Sequence, residues 1–188
     1  MTTGLHDLAD HAPVDDQDVC QMSFRLLPLG PTSKVKAQSS PEAFAVHVAV
    51  QVIGIYQSDG PMGLTDNIHL ATHLADAMRT IGRDDVADAA ERWLASFPPG
   101  VRFTELSDPE ALDGLEVSGA ILSLLENPRR NLSRLGLSAE TLKQVDDLVE
   151  PDDRQRLSEQ FLQATGVLCD LLDGLGFDVV AAYVRQAW

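Results

Sequence analysis

The sequence predicts an all-α protein, a compact multi-helix bundle of antiparallel helical hairpins. Apolar residues recur with the 3.6-residue period of a helix through most of the 188 residues. No segment shows the alternation of β-branched residues that is typical of a strand. Hydrophobic residues make up 44% of the chain, close to the average for globular proteins, so we expect a buried core.

The length of the chain and the positions of its Pro and Gly residues predict one main domain. At roughly 150 residues per domain, 188 residues correspond to a single helical domain, which we place at residues 14–188. Residues 1–13 lack an apolar period and are predicted to be a flexible N-terminus. The Pro98-Pro99-Gly100 run indicates a sub-boundary near 98–106.

The first half of the chain predicts two helices separated by a loop. Residues 14–27 predict a helix, and residues 28–40 predict a loop because they are rich in Pro, Gly, Ser and Lys. A helix then begins after Ser40, with Pro41 at the first helical position, where the missing N–H costs nothing. Its nearly all-apolar composition predicts a central position, and residues 58–63 predict the turn that follows it.

The remaining elements are also helical. Residues 66–81 and 85–97 predict two helices separated by Gly82, which form an antiparallel hairpin. The capping-box spacing of Ser107 and Glu110 predicts a further helix over 108–126. The start and stop signals of helices, chiefly Pro, Gly and capping residues, then predict helices over 138–149, 152–172 and 177–188.

The charge balance excludes several classes of partner. The chain has 14 Lys and Arg against 29 Asp and Glu, a net charge of −15. A protein that binds nucleic acid directly needs clustered Lys and Arg, so we expect no direct nucleic-acid binding. The first twenty residues contain five aspartates and no Lys or Arg, the reverse of a secretory signal, which predicts a cytoplasmic protein. No apolar run is long enough to span a membrane.

Two acidic segments are the candidate partner-binding surface. Glu110, Asp113 and Glu116 are three residues apart in a predicted helix and form one edge with a rise of about 4.5 Å per step. Such a ridge presents a field like that of a phosphate backbone to a basic protein. Acidic residues also favour helix N-termini, so a solvated acidic face explains the same pattern without a partner. The candidate residues are Glu105, Asp108, Glu110, Asp113 and Glu116, with Asp146, Asp147, Glu150, Asp152 and Asp153 as a second patch.

A histidine pair is the alternative candidate site. His69 and His73 are four residues apart in the predicted helix over 66–81, so their rings would share a face and reach one metal ion. Asp66 and Asp76 flank them at helical spacing. The pair lacks the Glu of a His-Glu-x-x-His motif, and two polar side chains beside an apolar stripe give the same spacing. Metal binding is therefore the alternative to partner binding. A small apolar ligand pocket between helices is a third hypothesis, which no residue pattern favours because such pockets leave little trace in a sequence.

The sequence lacks common catalytic motifs, and its cysteines, His47 and Trp93 are predicted in the interior. The sequence contains no Gly-x-Ser-x-Gly elbow and neither of the two common glycine-rich phosphate-binding loops, which favours a non-enzymatic role without a cofactor. Cys20 and Cys169 do not form a Cys-x-x-Cys pair and are predicted to be small buried hydrophobes. His47 and Trp93 lie among apolar residues, so both are predicted in the core.

Residues 50–98 resemble a known family. The downstream part reads Leu74-Ala75-Asp76-Ala77-Met78-Arg79-Thr80-Ile81-Gly82, then Val86-Ala87, Ala90-Glu91-Arg92 and Phe97-Pro98. The upstream part contains Val50-x-x-x-Gly54-Ile55-x-Gln57 and Gly60. Together they resemble the bacterial DNA-mimic-protein-like domain family, although Gln51-Val52-Ile53 replaces Asn-Asn-Gly and Ile55 replaces an aromatic residue.

The resemblance implies an all-α bundle, often a homodimer, without known enzymatic activity. One characterised type of member imitates DNA and occupies the DNA-binding face of a transcription factor. The acidic composition points in the same direction independently. The sequence therefore predicts an acidic helical interaction protein that binds a basic protein surface, with a DNA-binding protein as the class of partner that a DNA mimic implies.

Overall fold

The computed structural model describes residues 2–8, 14–97 and 154–187. Within these ranges the chain is helical and contains no strand, so the predicted all-α bundle is confirmed. The predicted helices over 108–126 and 138–149 and the sub-boundary near 98–106 lie outside the described residues. The helices are α1 (Leu5–Leu8), α2 (Asp16–Leu26), α3 (Thr32–Gln38), α4 (Pro41–Asp66), α5 (Ile68–Ala71), α6 (Leu74–Thr80), α7 (Asp84–Ala95), α8 (Arg154–Asp173) and α9 (Phe177–Ala187).

Helix α4 is the centre of the bundle. Ser40 caps it by accepting a hydrogen bond from the Ala43 N–H, and Pro41 takes the first helical position, as predicted. Apolar residues are buried around most of its circumference, including Val46, Val48 and Val52. A helix that is apolar on all sides must be covered on all sides. Helices α2, α6, α8 and α9 accordingly pack against it.

The turn predicted at residues 58–63 is a sharp kink within α4. Gly60 has φ 64° and ψ −152°, a backbone conformation outside the helical region that side-chain-bearing residues rarely adopt. Pro61 follows and has no N–H to continue the helical ladder. The chain beyond the kink returns so close that a Cβ on Gly63 would lie 2.7 Å from Cγ2 of Ile55. The kink therefore depends on two glycines.

The predicted loop over 28–40 is wrong over most of its length. The chain forms a 3-10 helix at Leu27–Leu29 and then α3, with Thr32 and Val35 buried. Pro31 precedes α3 in an extended conformation, and Gly30 has φ 107°. The Pro and Gly residues therefore mark the beginning of a short helix, whose seven residues are too few to show an apolar period.

The helix predicted over 66–81 is divided in two. His73 has φ −99° and ψ −2°, and its N–H donates to the Leu70 carbonyl at 2.9 Å, so α5 and α6 are separated by a turn. Gly82 ends α6 with φ 80°, and the Arg83 N–H donates to the Met78 carbonyl at 2.7 Å. This second boundary is the one that the sequence predicts.

Aromatic side chains join α7 to α8. Trp93 is 1% exposed, as its core position in the sequence predicts, and packs edge to face with Phe97 at 5.1 Å between ring centroids. Phe97 packs in the same manner with Phe161 of α8 at 5.2 Å. Tyr56 of α4 adds a polar tie, because its hydroxyl donates to Oδ1 of Asp173 at 2.8 Å.

The described part of the N-terminal stretch contacts the bundle. Leu5 and Leu8 of α1 are buried. Thr3 pairs with the chain between α3 and α4: its N–H donates to the Gln38 carbonyl, and its carbonyl accepts from the Ser40 N–H, both at 2.8 Å. None of the helices in the described ranges combines the length and apolar character required to cross a bilayer.

Candidate functional site

The ten predicted partner-binding residues lie outside the described residues. They are Glu105, Asp108, Glu110, Asp113, Glu116, Asp146, Asp147, Glu150, Asp152 and Asp153. Of the four predicted metal ligands, Asp66 is the last residue of α4 and His69 lies in α5. The other two, His73 and Asp76, line one cavity.

This cavity has a volume of about 260 Å³ and lies where α3 and α6 both pack against α4. Each helix contributes one face, because residues three and four apart on a helix share a side. Helix α4 provides Pro41, Phe44 and Ala45, and α6 with the preceding turn provides His73, Asp76, Ala77 and Thr80. Lys36 of α3 and Ser39 complete the lining.

The ring of Phe44 is one of the apolar surfaces that line the cavity. Nζ of Lys36 lies 5.7 Å from the ring centroid, a cation–π contact. The His73 ring meets the Phe44 ring edge to face, with centroids 5.2 Å apart and planes at 73°. The cation and the imidazole are thus both held against the same aromatic ring.

The formal charges of the cavity are available to a ligand. Neither Lys36 nor Asp76 forms an ion pair with another residue in the described ranges, and both side chains are exposed. The two hydroxyls are engaged locally instead. Thr80 Oγ1 donates to the Asp76 carbonyl at 2.9 Å, and Ser39 Oγ donates to the Val35 carbonyl at 2.6 Å.

The structure bears on the metal hypothesis in two ways. The turn at His73 interrupts the continuous helix that would place His69 and His73 on one face. Among the described residues, no three His, Cys, Asp or Glu side chains are close enough together to hold one ion. His73 and Asp76 nevertheless line the same cavity. Metal binding therefore stays a prediction.

His47 is a hydrogen-bonded interior residue, as predicted. It is 2% exposed, and its Nδ1 lies 3.0 Å from Ser23 Oγ and 3.3 Å from the Ser23 carbonyl oxygen. Gln51 Nε2 donates to the same Ser23 hydroxyl at 2.9 Å. Burial lowers the pKa of His47 below its usual value, and the hydrogen bond to the Ser23 backbone opposes this only in part. This network joins α2 to α4.

The two cysteines do not resemble nucleophiles. Both are half-buried rather than fully buried as predicted, and both are free thiols. Burial, and then the charge of Asp16, raises the pKa of Cys20. Burial is also the largest cause of the raised pKa of Cys169. A raised pKa reduces the thiolate fraction, so neither thiol is activated.

Three acidic residues of α7 have arginine partners in the described part of the chain. Arg79 bridges two side chains of α7: its Nη1 lies 2.6 Å from Oε1 of Glu91, and its Nη2 lies 3.1 Å from Oδ1 of Asp88. Arg83 pairs with Asp85 at 2.8 Å. The arginine hydrogen bonds lower the pKa of Glu91 and of Asp85. These carboxylates are therefore partly neutralised within the fold.

Sequence reasoning missed two residues of the cavity, Lys36 and Phe44. Lys36 lies in the segment predicted as a loop, so nothing placed it beside α4. Phe44 reads as one apolar residue among many in α4. The available signal was the rarity of lysine, since the chain contains only three.

Comparison with known proteins finds no match to a protein-family model, to a curated protein or to a solved structure.

Proposed function

We propose that this protein is a non-enzymatic acidic interaction protein that binds a basic protein surface through its two acidic segments. The observation that carries the proposal is the uneven distribution of charge. Residues 105–126 contain six acidic residues and no Lys or Arg, and residues 146–153 contain five acidic residues and no Lys or Arg. Concentrated like charge is unfavourable for the isolated protein, and a basic partner relieves it.

Several carboxylates outside the two acidic segments have structural roles within the fold. Among the described residues, Asp15 and Asp18 form a capping box at the beginning of α2, and Asp85, Asp88 and Glu91 of α7 pair with Arg79 or Arg83. Capping and ion pairing explain these residues without any partner. The acidic residues over 105–126 and 146–153 have too few basic neighbours in sequence to be explained in the same way.

A DNA-binding protein is the partner class that we propose. The regular three-residue spacing of Glu110, Asp113 and Glu116 and the resemblance of residues 50–98 to the DNA-mimic-like family both favour it. The same resemblance favours a homodimer as the binding form. A DNA mimic competes with DNA for one surface of its partner, so this protein should displace DNA from that partner.

The test is capture of lysate proteins on the immobilised full chain, at about 50 mM and about 500 mM salt. Surface charges are screened beyond about 10 Å at moderate salt, so the partner should be retained at low salt and released at high salt. A fluorescent DNA duplex bound to the purified partner should then be displaced by this protein. The variant E110Q/D113N/E116Q should lose capture.

The matched control changes the net charge by the same amount elsewhere. Asp59, Asp84 and Asp170 are exposed residues of the described helices, and the variant D59N/D84N/D170N should retain capture. Retention of the partner at high salt would contradict the proposal. Equal loss of capture in both triple variants would show that only net charge matters, and would also contradict it.

The second candidate function is metal binding through His69 and His73 with Asp66 or Asp76. The observation that favours it is the position of His73 and Asp76 on one cavity. Zinc, manganese or iron should then raise the Tm of the protein, and the variant H73A should abolish the rise. A purified protein without bound metal, whose Tm is the same with and without added metal, would contradict it.

A further inference from the structure

We infer that the cavity between α3, α4 and α6 binds a small zwitterion, an amino acid with an apolar side chain. The inference is independent of the proposed partner, because it uses only residues of the described helices. It is drawn from the size of the cavity, the opposite signs of its two formally charged lining residues and the apolar residues that line it with them.

The size of the cavity sets the size of the ligand. A buried cavity of about 150 Å³ holds one benzene molecule. The cavity of about 260 Å³ therefore holds a molecule of roughly ten non-hydrogen atoms by the same proportion. This matches an amino acid such as leucine.

The Lys36 part of the lining is suited to a carboxylate. The Lys36 ammonium lies over the Phe44 ring, 5.7 Å from its centroid. Pro41, which also lines the cavity, is the first residue of α4, and the N-terminus of a helix carries a partial positive charge. An ammonium and a helix N-terminus together favour an anion.

The α6 wall is suited to an ammonium group. Asp76 provides a carboxylate without an ion pair in the described part of the chain, and it lies one helical turn from His73 on the cavity face. Lys36 and Asp76 are the two formally charged lining residues, and they have opposite signs. A ligand with both charges pairs with both residues. An anion alone would be repelled by Asp76, and a cation alone would be repelled by Lys36.

Apolar residues make up much of the rest of the lining. Phe44, Ala45 and Ala77 are buried residues that line the cavity. Ligand sites of this kind combine apolar walls with a few placed polar groups that fix orientation. The apolar side chain of the ligand would displace water from the face of α4, which provides affinity that a small polar zwitterion such as glycine lacks.

The test is calorimetric titration of the full chain with three matched probes, in the presence of EDTA. L-leucine carries both charges, 4-methylpentanoate lacks the ammonium, and 3-methylbutylamine lacks the carboxylate. Leucine should bind at least about tenfold more tightly than either analogue, because each lost charge-assisted contact weakens binding by about that factor or more. Glycine should bind more weakly than leucine.

Two variants assign the charges to the ligand groups. K36M should weaken leucine binding by about tenfold or more but should not weaken 3-methylbutylamine binding, because it removes the charge that opposes the amine. D76N should weaken leucine binding similarly but should not weaken 4-methylpentanoate binding, because it removes the charge that opposes the carboxylate. K34M and D170N alter exposed charges outside the cavity and should bind leucine as the wild type does. Thermal melting checks that all four variants are folded.

Several results would overturn the inference. Failure of leucine to bind at millimolar concentration, or binding of 4-methylpentanoate as tight as that of leucine, excludes a zwitterion site. Equal affinity of the wild type, K36M and D76N for leucine would place any binding elsewhere. A loss of leucine binding in K34M or D170N that equals the loss in K36M or D76N would show a non-specific charge effect.

Discussion

At the residue scale, the buried imidazole of His47 makes the stability of the bundle depend on pH. Burial lowers its pKa in the folded protein, so in acid the unfolded chain takes up a proton that the folded chain does not. The free energy of unfolding should therefore be independent of this group above its unfolded pKa of about 6.5 and should fall as the pH falls below that value.

The measurement is urea denaturation of the wild type and of H47Q between about pH 7.5 and pH 5. H47Q cannot take up this proton, so its stability should fall less steeply with decreasing pH. Parallel slopes for the wild type and H47Q would show that protonation of His47 is not linked to folding.

At the scale of the element, the kink of α4 and the long helix α8 respond oppositely to the same substitution. Gly60 has a positive φ, so G60A forces an alanine into a strained backbone conformation, at a cost of about 1–3 kcal/mol. Gly166 lies within α8 with open space where an alanine Cβ would lie, so G166A should stabilise the helix by up to about 1 kcal/mol. Chemical denaturation of both variants decides the signs. Destabilisation by both would mean that Gly166 is needed for packing.

The attachment of α8 to α7 depends on the aromatic series from Trp93 through Phe97 to Phe161. Phe161 is 2% exposed, and F161A removes its ring from this contact, so we expect a loss of about 3–5 kcal/mol. F161L retains most of the apolar volume and should lose less. The fluorescence of Trp93 should report unfolding at a lower denaturant concentration in F161A. A loss below about 1 kcal/mol would show that α8 is held mainly by α4.

At the scale of the whole molecule, local chemistry predicts the helix boundaries that glycine and proline set. The beginning of α4 at Ser40 and Pro41 and the end of α6 at Gly82 are examples. The break at His73 is invisible in the sequence because the apolar pattern continues through it, with Leu70, Ala71 and Leu74 all buried. A period shows which side of a segment is buried but not whether its hydrogen bonds are continuous.

The cavity also shows where sequence reasoning ends. Spacing alone singles out His73 and Asp76, but their neighbour Lys36 is about forty residues away in the chain and belongs to a helix that the composition concealed. The three meet only because α3 and α6 both pack against α4. This juxtaposition is a property of the tertiary packing, and no local pattern specifies it.

The net charge of −15 makes the stability of the whole molecule depend on salt. Salt weakens the exposed ion pairs of Arg79 and Arg83, but such pairs contribute little to stability, whereas screening relieves the repulsion among all the acidic residues. Stabilisation of about 1 kcal/mol raises Tm by about 2–4 °C in a protein of this size, and we expect a rise of that order between about 10 and 300 mM NaCl.

Charge neutralisation separates this repulsion from other effects of salt. E110Q/D113N/E116Q removes three charges of the segment with the largest acidic excess, so its Tm should rise less with NaCl than that of the wild type. KCl at the same ionic strength should act as NaCl does, because screening depends on ionic strength rather than on the identity of the ion. A Tm that falls with salt in the wild type would mean that the ion pairs of the helical framework outweigh the repulsion, and that the acidic segments cost the fold too little for a partner to relieve.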